Sequence, residues 1–276
     1  MGKLIDGDDG LLVEEVGSWA KQKHDYLVRY LDISRSVRKK FIGPRKGGAT
    51  YIDLFCGPGR AVVRKSAEFI EGSCVAAWKK SVAGGAPFTQ VHIADADLQR
   101  LELAEKRLKA LGAPVTAHHG PASETVKRIV RQVGQYSLNF AFVDPFNLGA
   151  FDFAIVQELS KLSRIDMLVH VSKMDLQRNL GMNLREQQKA FNAFAPGWRE
   201  AIDLNQSQSN VRRQVFEYWR GLVAASGIAT SDDVDMKLIT GSKKQPLYWL
   251  LLAAKHEIAH SFWKTASAGD QLDLAL

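Results

Sequence analysis

Tyr51-Ile-Asp-Leu-Phe-Cys-Gly-Pro-Gly59 is the stretch that decides the fold. A short apolar run ends at an acid and passes into a turn in which Gly57 and Gly59 flank a proline. Apolar runs of this length suit a strand buried on both faces, as in a parallel sheet. Glycines at the end of such a strand let the backbone turn tightly and approach a ligand, because no side chain intrudes. The pattern predicts a strand from Thr50 to Phe55, a cofactor loop, and a helix soon after it, around Val62 to Lys80.

The same texture repeats outward from the loop. Further candidate strands cover Thr89 to Asp95, Pro114 to His118, Leu138 to Asp144 and Asp166 to Val171. Helical patterns separate them, around Leu98 to Leu111, Ser123 to Val133 and Ala150 to Leu162, with Asp97 placed to cap the first. Such alternation predicts a parallel sheet covered by helices. Asp233 to Thr240 and Pro246 to Ala254 then read as an antiparallel hairpin. Residues 1–48 read as a basic helical segment, from the spacing of Leu12, Val13, Val16, Trp19, Ala20, Tyr26, Leu27, Tyr30 and Leu31. Residues 49–276 form the expected main domain, with a helical elaboration at about 172–227. The fold class is therefore α/β, of the Rossmann-like type found in S-adenosylmethionine (SAM) methyltransferases. Its sheet is expected to be mostly parallel and seven-stranded, with a C-terminal antiparallel hairpin and added helices.

Composition excludes several classes. With 276 residues and 46% hydrophobic content the chain can bury a real core. Two cysteines, Cys56 and Cys74, are too few for a zinc ligand set or a disulfide framework and suit a reducing compartment. His118, His119, His170, His256 and His260 have no metal-ligand spacing and read as surface or core residues, so no metal is expected. No apolar run is long enough for a signal peptide or a membrane span, so a cytoplasmic protein is expected. Net charge is +7, and Arg29, Arg35, Arg38, Lys39, Lys40, Arg45 and Lys46 crowd the segment before the loop, with Arg60, Arg64 and Lys65 just after it. Together they read as a phosphate-binding rim beside the active cleft, with Arg38, Lys39, Lys40, Arg45 and Lys46 as the candidate nucleic-acid contacts; a solvated helix face is the plainer alternative.

In a SAM-binding version of this fold, Asp53, Phe55, Gly57 and Gly59 belong to the cofactor loop, and Asp53 faces the cofactor's amino group. Asp95, at the end of the next strand, takes the ribose hydroxyls. Asp144-Pro145-Phe146 follows the fourth strand and resembles the Asp-Pro-Pro-Tyr/Phe motif of amino-group methyltransferases, with one proline instead of two. There the acid and a proline carbonyl accept hydrogen bonds from the target amine while the ring stacks on the base. Asp144, Pro145 and Phe146 are thus the catalytic candidates. The loop also resembles that of DNA cytosine-C5 methyltransferases, but these need a nucleophilic cysteine, and none follows Cys74.

Over nearly its whole length the chain resembles the three-Cys-motif partner (TcmP) family of bacterial proteins. The matching residues are Lys23-His24, Tyr26-Leu27, Tyr51 through Arg60, Gly72-Ser73, Asp95-Ala-Asp97, Ala141 through Phe146, Pro246-Leu-Tyr248 and Lys255-His256. The resemblance implies a methyltransferase-like fold and a partner protein with three clustered cysteines, itself similar to radical-SAM proteins. One departure is Pro121, where methyltransferases often carry an acid for the adenine amine; either Glu124 or a backbone carbonyl substitutes, or cofactor affinity is reduced. The expected function is SAM-dependent methylation of nucleic acid at a base amino group. The main alternative is a catalytically weak or inactive methyltransferase-like module that binds a partner protein or nucleic acid; a third reading is a small-molecule or protein methyltransferase, whose binding would be insensitive to salt.

Overall fold

A computed structural model describes residues 2–185 and 189–268; the parts of the expected elaboration at 186–188 and of the main domain at 269–276 lie outside the described residues. The chain opens with strands β1 (Leu4–Asp6) and β2 (Leu12–Val16), then helices α1 (Trp19–Ile33) and α2 (Arg35–Lys39). Strand β3 (Ala49–Asp53) leads into β4 (Arg60–Val63), β5 (Phe69–Glu71) and helix α3 (Ser73–Ala83). Strict alternation follows: β6 (Gln90–Asp95), α4 (Leu98–Ala110), β7 (Val115–His119), α5 (Ala122–Gln132), β8 (Leu138–Val143), α6 (Ala154–Leu159) and β9 (Ile165–Val171). Four helices come next, α7 (Lys173–Arg185), α8 (Lys189–Phe194), α9 (Trp198–Ala201) and α10 (Gln208–Ala225). The described chain ends with β10 (Ala229–Thr230), β11 (Lys237–Thr240), β12 (Pro246–Ala254) and α11 (Glu257–Ala268).

The main sheet runs β10-β12-β9-β8-β3-β6-β7, with β11 also paired to β12. Strands β7, β6, β3, β8 and β9 are parallel, while β12 is antiparallel to β9 and forms the hairpin with β11. The fold is thus mixed α/β with a mostly parallel sheet of the Rossmann-like kind, and its strands number eight rather than seven. The extra strand is the two-residue β10, which pairs with the end of β12. The chain starts at β3, builds outward to β7, then returns to the other side of β3 to lay down β8 and β9. That reversal opens a crevice at the carboxyl ends of β3 and β8, the usual ligand position in such sheets.

Alternate residues of each central strand feed two cores, as a period of two requires. Ile52, Ala141 and Met167 face one side, with α5, α6 and the elaboration, where Phe194 and Trp219 stack at 5.3 Å. Tyr51, Phe140 and Leu168 face the other, covered by α1, α3, α4 and α11. Helix α1 buries Tyr26, Leu27, Tyr30 and Leu31 on one stripe, and the Tyr30 ring stacks on Phe140 at 5.3 Å. The N-terminal segment therefore shares this core. No described helix is long and apolar enough to cross a membrane.

Three local expectations change. Leu12 to Val16 is a strand, not helix: Asp8-Asp9-Gly10 makes a turn with Gly10 at φ +76°, and β1 pairs back on β2. After the loop, Arg60 to Val63 is a strand pairing in parallel with β2, so a four-stranded sheet, β1-β2-β4-β5, stands where a helix was expected and α3 starts only at Ser73. The β-branched Val62-Val63 favours this outcome, and the turn beyond it holds Lys65 and Ala67 at positive φ. The helix expected from Ala150 is shortened, because Asn147 caps a 3-10 turn at Leu148–Ala150 before α6 begins.

Candidate active site

A cleft of about 630 Å³ opens at the carboxyl ends of β3, β6, β8 and β9. Its floor is the loop after β3. Gly57 holds φ +54°, a left-handed conformation that suits glycine, and its N–H donates to Asp95 Oδ2 at 3.0 Å. Asp95 Oδ1 accepts from the Asp97 N–H at 2.9 Å, and the Asp97 side chain caps α4 through the Arg100 N–H. Burial pushes the Asp95 carboxyl up, and the two backbone donors pull it back. Gly57, Asp95 and Phe55 all line the cleft.

Asp53 and Gly59 do not line it. The Asp53 carboxylate is fully buried beneath the loop, accepting from Ser73 Oγ (2.6 Å), Tyr51 Oη (3.0 Å) and the Phe55 N–H (3.2 Å). Burial pushes its carboxyl up to about 6 against those donors. It shapes the loop from below instead of facing a ligand. Gly59 packs on α4, where a Cβ would lie 3.2 Å from the Ala104 Cα. Of the residues near the expected adenine site, Pro121 and Ser123 line the cleft, whereas Glu124 points away to Lys127 at 3.5 Å.

The chemistry gathers around Asp144. One carboxylate oxygen is paired with the Lys23 ammonium from α1, and the other accepts from His170 Nδ1 at 2.7 Å. Burial alone would raise the Asp144 carboxyl, but Lys23 and then His170 hold it well below the usual range. His170 is the penultimate residue of β9, and its ring lies 3.8 Å from that of Tyr248 on β12. Burial lowers the His170 imidazole, with Asp144 opposing, which leaves it neutral near pH 7. His170 Nε2 and the Tyr248 hydroxyl are buried without a hydrogen-bond partner among the described residues, and both residues border the cleft. Pro145 is buried but lines the cleft, and Phe146 stands 59% exposed at its margin.

The N-terminal hairpin roofs the loop side. Glu14 accepts from the Gly2 N–H at 2.5 Å and pairs with Arg100 at 2.9 Å. Arg60 pairs with Asp8 at 2.6 Å, and Arg107 pairs with Asp9 at 2.8 Å while donating to the Pro58 carbonyl at 2.6 Å.

The candidate phosphate contacts lie elsewhere. Arg38 is buried, donating to the Ala86 and Leu31 carbonyls, so it is a structural residue and not a surface contact. Lys39, Lys40, Arg45 and Lys46 are exposed on the segment that enters the amino end of β3, and none lines the cleft. The part of the expected basic rim before the loop does not reach the cleft, whereas Arg64, after the loop, does; Lys23 and Arg100 are the other cations among its lining residues.

Lys23 and Tyr248 were named only among the residues that carry the family resemblance, and His170 only as a surface or core residue; none had been given a place in the site. His170 had a signal: it is a polar residue next to the end of a strand otherwise mostly buried, beside a strand that Asp144 follows.

The sequence matches no protein-family model, and a search of curated proteins finds no relative. In three dimensions the chain is similar to the O-methyltransferase TomG from Streptomyces achromogenes in complex with SAM (15% identity, TM-score 0.46, covering 88% of this chain and 92% of that one). It is also similar to an O-methyltransferase from Bacillus cereus in complex with SAH (13%, 0.44, 82% and 79%). A third is P. horikoshii TYW2 in complex with MeSAdo (8%, 0.44, 91% and 70%).

Proposed function

We propose that the chain is a SAM-dependent methyltransferase whose cofactor lies over Gly57 with its ribose at Asp95, and whose acceptor gives up a proton to His170. The observation that carries the reading is the Asp144–His170 pair, with its unpartnered Nε2 beside a glycine turn whose N–H is fixed by Asp95. A cleft of about 630 Å³ is within the range of ligand sites, and a side chain at Gly57 would project into the cradle. When bound, SAM supplies a methyl group on a sulfonium, so the protein's main task is to align the acceptor. A neutral His170 accepts the proton, and ionised Asp144 stabilises the resulting imidazolium.

The acceptor class we favour is a nucleic-acid base, stacked on exposed Phe146 with Arg64 at the margin and drawn by the net charge of +7. With Asp144 engaged by Lys23 and His170, a base amine would meet the Pro145 carbonyl and His170 rather than Asp144 itself. Capture of Asp144 by Lys23 also supports the competing reading, a methyltransferase-like module that binds without turnover. The three-cysteine partner implied by the TcmP resemblance is part of this proposal and is tested by co-purification.

Calorimetry with S-adenosylhomocysteine, together with labelled-methyl transfer to DNA, RNA and protein, separates these readings. Binding lost in Asp95→Ala and transfer lost in His170→Asn are the expected results. No binding at millimolar cofactor ends the SAM reading; binding with transfer indifferent to His170→Asn ends the proton-acceptor role.

A further inference from the structure

At the opposite edge of the sheet a second cavity, of about 140 Å³, lies between α1, α2, α11 and the amino ends of β8 and β9. Its walls are mainly apolar and aromatic, including Tyr30, Phe88 and Phe140. Set among them is Arg38, 3% exposed, with its guanidinium over the Phe88 ring at 4.8 Å. Arg38 Nε and Nη1 donate to the Ala86 and Leu31 carbonyls at 2.7 and 3.1 Å, both neutral acceptors, and Nη2 is buried with no partner among the described residues.

The charge at this cavity is unbalanced. Asp166 is its one carboxylate, and that group already accepts from the Tyr30 hydroxyl at 2.7 Å. Arg164, a second guanidinium, sits over the Phe41 ring at 5.5 Å. A buried cation whose hydrogen bonds go to neutral carbonyls is costly, and an anion brought to it offsets that cost. Burial lowers the Arg38 guanidinium to about 10, with the Asp32 charge and Tyr30 opposing. A dry cavity of about 150 Å³ takes a benzene ring, so the space here fits a single ring.

We propose that this cavity is a binding site for a small aromatic carboxylate, with the ring between the aromatic walls and the carboxylate on Arg38. The site shares no lining residue with the cleft and does not depend on the methyltransferase reading. The test is benzoate titrated against the full chain by ligand-observed NMR, with neutral benzamide as control. Saturable one-to-one binding is expected in the millimolar range, as suits a ligand of about nine non-hydrogen atoms, with benzamide at least about tenfold weaker. Arg38→Gln should abolish it. Ile258→Glu, at an exposed rim position and without disturbing Arg38, should weaken it about tenfold and serves if Arg38→Gln does not fold. Benzamide binding equal to benzoate, indifference to Ile258→Glu, displacement by S-adenosylhomocysteine, or no saturation by about 10 mM would each overturn the proposal.

Discussion

Lys23→Met is the most informative single change, because it asks whether Asp144 is an ion-pair partner or a free acceptor. The two side chains are 13% and 14% exposed, so the pair is largely shielded from water and salt. Methionine keeps most of the stem packing and deletes the charge, leaving a buried carboxylate held only by His170. Breaking one partner of a buried pair costs about 3–5 kcal/mol. For a chain of this size that lowers Tm by roughly 6–20 °C. Urea unfolding should show the loss in Lys23→Met and in Asp144→Asn, and a far smaller loss in the double variant than their sum. A coupling of about 2 kcal/mol or more is the expected result of that cycle. Lys23 also holds the His170 imidazole down by repulsion. Its removal raises that group, so less neutral imidazole remains at pH 7 and the acid limb of a transfer profile moves to higher pH. A cost under about 1 kcal/mol with coupling near zero would refute the pair and return Asp144 to the role of amine acceptor.

Gly57→Ala puts a side chain at φ +54°, which costs about 1 kcal/mol in unfolding free energy. Its methyl also enters the cleft, so calorimetry should show S-adenosylhomocysteine binding weakened about tenfold, and unchanged affinity would move the cofactor off this loop. Asp53 gives a pH signature. Below about pH 4 both states are protonated, and since the folded group keeps its proton up to about 6, stability falls as pH rises between these values, by about 3 kcal/mol in all. The unfolding free energy of Asp53→Asn relative to wild type should therefore change across pH 4–6; a constant difference rejects the shift. Arg107→Ala removes the clamp between Asp9 and the Pro58 carbonyl at a cost of about 1.5–3 kcal/mol, and hydrogen exchange over residues 4–16 should quicken; unchanged protection would mean that the strand pairing alone holds the hairpin.

The parallel strands were legible because burial on both faces leaves them as continuous apolar runs: Leu138 to Asp144 was expected, and Leu138–Val143 is found. Gly57 and Asp95 were legible for a related reason, since a glycine turn and an acid at adjacent strand ends are local features. The small sheet was not, because Leu12, Val13 and Val16 fall at helical spacing by coincidence and pairing with β1 and β4 makes them a strand. Lys23 could not be assigned to Asp144 from periodicity, at a sequence separation of 121.

The misplaced basic rim has a simpler cause. Arg38 to Lys46 and the cofactor loop are close in sequence but are separated by β3, one entering its amino end and the other leaving its carboxyl end. Five residues at about 3.3 Å each put them roughly 17 Å apart, on opposite edges of the sheet. In a parallel fold, neighbours across one strand are opposed in space, whereas residues ending different strands converge, as Asp144 and His170 do. On the proposed nucleic-acid reading, the positive charge that would count in the cleft is therefore Arg64, beyond the glycine turn, and not the denser cluster before it. Arg64→Glu should thus weaken nucleic-acid binding and flatten its salt dependence more than Lys39→Glu with Lys40→Glu. Filter binding across a salt series decides this, and the opposite ranking would place the nucleic acid on the far edge of the sheet.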